Sequence, residues 1–213
     1  FKIDWRKVKM KEWNGKRYHT LNHFLREKFG EKVFKISLDG GFTCPNRDGK
    51  AGRGGCVFCS ARGSGDFAGD RDFSISKQFD DVKLMMEHKW KSGKYIAYFQ
   101  AYTNTYAPVD ELRKKYNEAI VKEGVVALAI ATRPDCLDDD VLDLLEEISK
   151  KLYVWVELGL QTSNDETAKI INRGYMLSTF DDAMERLNKR NIDTVVHAIF
   201  GLSLIHISEP TRP

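Results

Sequence analysis

The chain has 213 residues, of which 42% are hydrophobic and 31% charged, and a formal net charge of +3. That is the composition of a soluble globular protein long enough to bury a sizeable core, in one domain or one domain with a short appendage. It excludes a short disulfide scaffold, and no apolar run approaches the roughly 20 residues that cross a bilayer.

The opening Phe1–Lys7 segment has no apolar signal-peptide core, and four cysteines without a targeting segment predict a reducing, cytoplasmic setting. Charge is uneven along the chain. Residues 1–35 hold 11 Lys or Arg against 4 Asp or Glu, a net of +7, which leaves −4 for the remainder. Interleaved with Trp5, Trp13, Tyr18 and Phe24, this basic arm suits phosphate contacts and base stacking; a solvated terminus is the competing reading. In Leu21–Phe29, the residues Leu21, Phe24, Leu25 and Phe29 share one face, which predicts a helix stopped by Gly30. Residues 1–30 thus form an arm and helix ahead of a core over 31–202.

A first strand, Val33–Leu38, leads into a glycine-rich loop that carries Cys44, Cys56 and Cys59. The Cys-x11-Cys-x2-Cys spacing lets the last two thiolates grip one metal centre while the first closes on it across the loop. Three thiolates suit a four-iron cluster with one iron left open. A zinc shell completed by a distant residue and incidental cysteines are the alternatives, because zinc ordinarily takes four protein ligands and no further Cys or His lies near these three. Ser60–Asp72 is too polar for core and reads as a loop beside the site or a mobile segment.

From Ser76 the pattern alternates. A helix to about Trp90, a strand Tyr95–Ala101, a helix Val109–Glu123 and a strand Val125–Ala131 are followed by a helix Asp138–Lys150 and a strand Tyr153–Leu160. Helices Asp165–Ile171 and Thr179–Arg190 and a strand Thr194–Phe200 complete the series. Mostly apolar strands alternating with helices predict an α/β fold with a parallel sheet.

The segments Lys35–Gly49, Gly55–Cys59, Thr132–Cys136, Glu157–Gln161 and Asn172–Gly174 resemble, in order, the radical S-adenosylmethionine (SAM) superfamily, and within it the bacterial branch related to the Elongator catalytic subunit. The resemblance implies a partial parallel (β/α) barrel of six strands, of which this chain holds five before its last strand. Chemistry would gather at the C-terminal ends of those strands.

It also implies that Cys44, Cys56 and Cys59 bind a four-iron four-sulfur cluster ([4Fe-4S]) whose open iron is chelated by SAM. Reductive cleavage would yield a radical that abstracts hydrogen from a substrate. Phe58 matches an aromatic near the adenine; the alternative is an ordinary buried Phe. Gln100, Ala101 and Tyr102 stand where relatives carry a glycine-rich segment whose backbone holds the SAM amino group, although the glycines are absent here. Gln161 and Arg173 match positions that hold the SAM ribose and carboxylate, Arg173 competing with a helix-end role. His197 matches a ribose-binding position, with a core histidine as alternative. Glu157 is expected to face the barrel interior with Arg133 or Arg173 as partner, and Cys136 to be inert packing or to face the site. Asn104 and Tyr106 would face substrate or cap the following helix.

The implied activity is modification of the wobble uridine of transfer RNA, with an electron donor such as flavodoxin or ferredoxin and with neither DNA nor membrane as partner. A small-molecule substrate, or a zinc-stabilised RNA-binding module, are the rivals. Ser203–Pro213 departs from the family pattern and reads as a non-native tail.

Overall fold

The computed structural model of the chain describes residues 13, 15–87 and 93–202. Five parallel strands, β1 (Val33–Leu38), β2 (Lys94–Phe99), β3 (Val125–Thr132), β4 (Tyr153–Gln161) and β5 (Asp193–Ala198), pair in sequence order into one sheet. Consecutive parallel neighbours require a crossover on each connection, and helices supply it. These are α3 (Ile75–Glu87), α4 (Val109–Ile120), α5 (Asp139–Ser149) and the pair α6 (Asp165–Ile170) and α7 (Leu177–Lys189). The result is the α/β partial barrel expected from the sequence, with five strands among the described residues. The tail from Ser203, residues 1–12 and 14 of the basic arm and the end of the helix expected to reach Trp90 lie outside them.

The sheet is apolar on both faces, as a doubly covered parallel sheet must be. Ile36, Leu38, Phe99, Leu128, Ile130, Val156 and Leu158 are buried against Phe79, Leu112, Leu145, Phe180 and Leu187 of the surrounding helices. On the concave face, Ile96, Ala127, Ala129 and Trp155 pack against Leu25, Phe24 and Phe29 of α1 (Leu21–Phe29). Thus α1 fills part of the barrel interior, and its length is set at both ends. Thr20 accepts from the His23 amide at 3.1 Å, and Gly30 turns into the left-handed region at φ 78° with its N–H on the Arg26 carbonyl.

Differences from the sequence reading are confined to ends and loops. Val109–Ile120 stops three residues short of Glu123 because Gly124, at φ 80°, must turn the chain into β3. A one-turn helix α2 (Pro45–Asp48), with Pro45 at its first position, lies inside the cysteine loop where only a loop was expected. The edge strand β5 leaves Val195 and Val196 substantially exposed, as is Ile199 just past its end.

Candidate functional site

The cysteine loop leaves the C-terminal end of β1 and is folded by its own backbone. Cys44 caps α2 with its carbonyl, accepting from Arg47 N at 2.8 Å and Asp48 N at 3.1 Å. The Cys59 amide donates to the Cys56 carbonyl at 3.0 Å, and Val57 N donates to Ile171 O at 3.0 Å, tying the paired cysteines to the end of α6. Arg47 clamps the segment that follows, donating to the carbonyls of Cys59 at 3.4 Å, Ser60 at 2.5 Å and Ala61 at 3.3 Å. Gly55 is required there: at φ 79°, its absent Cβ would sit 2.9 Å from Arg47 Nε.

This folding brings Cys44, Cys56 and Cys59 to one cavity of about 260 Å³, near the lower end for small-ligand sites. Phe58, Gln100, Tyr102, Gln161 and His197 line the same cavity, together with Arg47, Arg133 and Glu157. A larger cavity of about 650 Å³ opens beside it, lined by Pro45, Tyr106, Asp135 and Cys136, but none of the three loop cysteines reaches it. The three loop cysteines therefore belong to the smaller one.

Three cysteine sulfurs beside an open cavity are a donor set that a four-iron cluster can use and that a zinc ion would need a fourth ligand to complete. Asn46 Nδ2 donates to Cys56 Sγ at 3.4 Å, the kind of outer hydrogen bond that tunes a bound thiolate. Burial pushes the Cys56 thiol up from its ordinary value, while Asn46 and the Arg133 charge oppose the rise. Gly159 lets Gln161 and Tyr175 close over the strand, since a Cβ there would stand 3.0 Å from the Gln161 amide and 3.1 Å from the Tyr175 hydroxyl.

Strain gathers at this cavity. Three of its lining residues, Ser64, Tyr102 and Gln161, hold φ between 57° and 63°, in the left-handed region that side chains disfavour. Tyr102 is fixed by its hydroxyl on Ala61 O at 3.0 Å and its amide on Gly63 O at 2.9 Å. The guanidinium groups of Arg47 and Arg71 both lie 5.5 Å from its ring centre. Gln100 donates to Ser64 O at 2.9 Å, so the Ser60–Asp72 loop packs beside the site.

Not every expected residue reaches the cavity. Ala101 is fully buried beneath it. Arg173 is also fully buried, and its guanidinium is committed to the fold. Nε and Nη2 donate to Tyr175 O at 3.1 and 2.9 Å, Nη1 to Leu160 O and Thr162 O at 2.6 Å each, and Nη2 also to Asp165 at 3.3 Å. Holding a carboxylate would require exchanging one of these bonds. Arg133 instead borders the cysteines, paired with Asp135 at 2.9 and 2.7 Å and donating to Arg173 O at 2.9 Å. Phe58 is 39% exposed, so it is no ordinary core Phe. Asn104 ties loops together through Phe99 O and Ala131 O, while Tyr106 and Cys136 face the larger cavity.

Glu157 does face the interior, but neither arginine is its partner. It accepts from Lys35, from Trp155 Nε1 at 3.0 Å and from His197 Nε2 at 3.0 Å. His197 is thus a half-exposed residue hydrogen-bonded to Glu157 at the cavity wall, not a core histidine. Sequence reasoning missed Lys35 as a site residue, although a lysine inside an otherwise apolar strand is itself a signal of a buried partner.

Residues 44–208 match the radical SAM superfamily. The chain is 56% identical over 189 residues to the uncharacterized protein YtqA of Bacillus subtilis (strain 168), covering 89% of this chain and 59% of that one. It is 42% identical over 179 residues to protein YhcC of Escherichia coli (strain K12), covering 84% and 57%. With the uncharacterized protein MJ0486 of Methanocaldococcus jannaschii, it shares 35% identity over 188 residues, covering 84% and 55%. The chain therefore spans between half and three fifths of the length of these curated relatives. Its fold is similar to that of the archaeal Methanocaldococcus infernus Elp3 with an N-terminal deletion, at a TM-score of 0.54 and 16% identity, covering 79% of this chain and 38% of that one. Because the family match starts at the first loop cysteine and runs past the last strand of the sheet, the chain belongs to the radical SAM superfamily.

Proposed function

We propose that this chain is the core of an enzyme that binds a [4Fe-4S] cluster through Cys44, Cys56 and Cys59, and SAM beside it, to modify the wobble uridine of transfer RNA. The observation that carries the first half is the convergence of the three cysteines with Phe58, Gln100, Tyr102, Gln161 and His197 on one cavity. When bound and reduced, such a cluster supplies the electron that cleaves SAM to a carbon-centred radical. The chain's own part is placement and exclusion of water.

Each role follows from side-chain chemistry. The Gln161 amide, on the cavity wall, suits ribose hydroxyls. The Phe58 ring offers a face for the adenine, and Arg133 brings a cation to the side where a carboxylate would lie. Backbone carbonyls around Gln100–Tyr102 would take the amino group, and Ala101, buried beneath, would act through its main chain only. An electron donor such as flavodoxin or ferredoxin would meet the exposed side of the loop.

The transfer-RNA half is supported by the motif resemblance to the Elongator branch, the fold similarity to an archaeal Elp3 and the basic N-terminal segment, residues 1–35. Within that segment, Tyr18 is 64% exposed with Lys16 Nζ 5.8 Å from its ring centre, a pair suited to stacking and phosphate contact. The test is an anaerobic incubation with SAM, a reductant and total transfer RNA, followed by mass spectrometry of the nucleosides. Formation of 5′-deoxyadenosine with a changed wobble uridine is expected. SAM cleavage with unchanged RNA would favour a small-molecule substrate, and zinc without iron or labile sulfide would favour a zinc-stabilised RNA-binding module.

A further inference from the structure

Away from the cysteines, His19, His23 and Glu27 recur at every fourth residue, which places them along one side of α1 and the turn before it. Their ligating atoms converge. His19 Nε2 lies 3.3 Å from Glu27 Oε2, and His23 Nε2 lies 3.3 Å from Glu27 Oε1. All three ligand atoms fall within 4.8 Å of one another. The imidazoles reach opposite oxygens of one carboxylate, and for an ion held at about 2.1 Å the edge of a tetrahedron is about 3.4 Å, so small side-chain shifts would bring both rings and one carboxylate oxygen onto one ion.

The arrangement is fixed by neighbours. The Trp13 ring stacks on His19 at 5.3 Å and 21°, and Phe24 meets the same ring edge-on at 6.2 Å. His23 is held by the Thr20 cap through its own backbone amide. Its imidazole stands edge-on to that of His19 at 5.2 Å, leaving Nε2 of both rings facing Glu27. His19 also lines a cavity of about 610 Å³ that reaches Tyr98, Glu157 and His197, residues shared with the cysteine cavity.

We propose that His19 Nε2, His23 Nε2 and a Glu27 carboxylate oxygen form a second metal site for a zinc-type divalent cation, distinct from the cluster. Two imidazoles and one carboxylate leave the fourth tetrahedral position to water or to an oxygen of an incoming ligand. Of the three, His19 lines the cavity whose wall also includes Val195, Glu157 and His197.

The experiment uses protein with its cluster already reconstituted, which occupies the three cysteines, and titrates in Zn²⁺ with calorimetry and elemental analysis. One zinc per chain is expected beyond the iron. His23→Ala and Glu27→Gln are expected to weaken that zinc roughly tenfold or more, with iron content unchanged. No zinc uptake by the unsubstituted protein, or equal uptake by the substituted ones, would overturn the site and leave Glu27 a mere ion-pair partner of the histidines. Zinc-edge X-ray absorption on the unsubstituted protein decides the matter if a variant folds poorly. A nitrogen and oxygen shell with two imidazoles supports the site, and sulfur scattering overturns it. Iron content is read separately, so failure here is distinguishable from failure of the cluster assignment.

Discussion

Glu157 Oε2 and His197 Nε2 lie 3.0 Å apart across the β4–β5 pair, and the other oxygen of the same carboxylate takes Lys35 from β1 and Trp155 Nε1. One buried carboxylate thus joins three strands beneath the cysteine cavity. Burial alone would raise its pKa, but hydrogen bonds from His197 and Lys35, with the Lys35 charge, hold it at about 2 against an ordinary 4.5. A carboxylate depressed in this way stabilises the folded chain fully above pH 4.5 and loses that contribution as pH falls toward 2. Glu157→Gln is expected to cost on the order of 2–3 kcal/mol at pH 7, read as a lower urea midpoint. The gap from the parent protein is expected to narrow below pH 4.5, and equal midpoints at pH 7 would remove the carboxylate from the account of stability.

The three loop cysteines share one cavity while Cys136 lies buried on another, with burial and Asp135 pushing its thiol up. Cys44→Ala, Cys56→Ala and Cys59→Ala are each expected to abolish the brown iron-sulfur absorbance after anaerobic reconstitution. Cys136→Ala is expected to keep it. A full four-iron cluster in Cys56→Ala would sink the ligand set, and its loss in Cys136→Ala would enlarge it.

What could be read from the sequence followed from periodicity. Each strand is a mostly apolar run and each crossover helix an amphipathic one, so five parallel strands and the loops at their C-terminal ends were legible in the sequence. The cysteine spacing likewise pointed to a metal centre, and the order of motifs to its family. Pairings across the chain were not legible: Lys35 and Glu157 stand 122 residues apart, and nothing local says that they meet. The destination of Arg173 was hidden for a different reason. An arginine in an Asn-Arg-Gly turn looks the same whether it faces a ligand or its own backbone carbonyls. The His19–His23–Glu27 series was visible as spacing, but His19 precedes the helix cap, so only the turn geometry brings it into line.

Arg173 is the residue on which fold and ligand readings diverge. Its guanidinium satisfies the carbonyls of Leu160, Thr162 and Tyr175 from a fully buried position. Removing it would leave several buried acceptors unpaired at about 1–3 kcal/mol each. Arg173→Ala is therefore expected to lower the melting temperature steeply, and Arg173→Lys to recover only part of it, because an ammonium has three donors without the planar fork. Unchanged melting with lost SAM binding in equilibrium dialysis would instead assign Arg173 to the carboxylate.

The last prediction concerns the basic arm and separates RNA binding from radical chemistry. Residues 1–35 carry a net +7, and neutralising contacts to phosphate release counterions. Transfer-RNA affinity is therefore expected to fall steeply with salt, each lost phosphate contact lowering the log–log slope by about 0.7–0.9. Deleting the whole stretch would also remove α1, whose Leu25 packs into the concave face, so the arm is tested by charge neutralisation. Lys7, Lys9, Lys11, Lys16 and Arg17 changed together to Gln are expected to flatten the slope and weaken binding in filter or fluorescence titrations. The same protein is expected to cleave SAM at the parent rate without RNA, because Lys16 and Arg17 are outside the residues lining the cysteine cavity. Unchanged affinity and unchanged salt dependence would make the arm a solvated terminus and shift the substrate toward a small molecule.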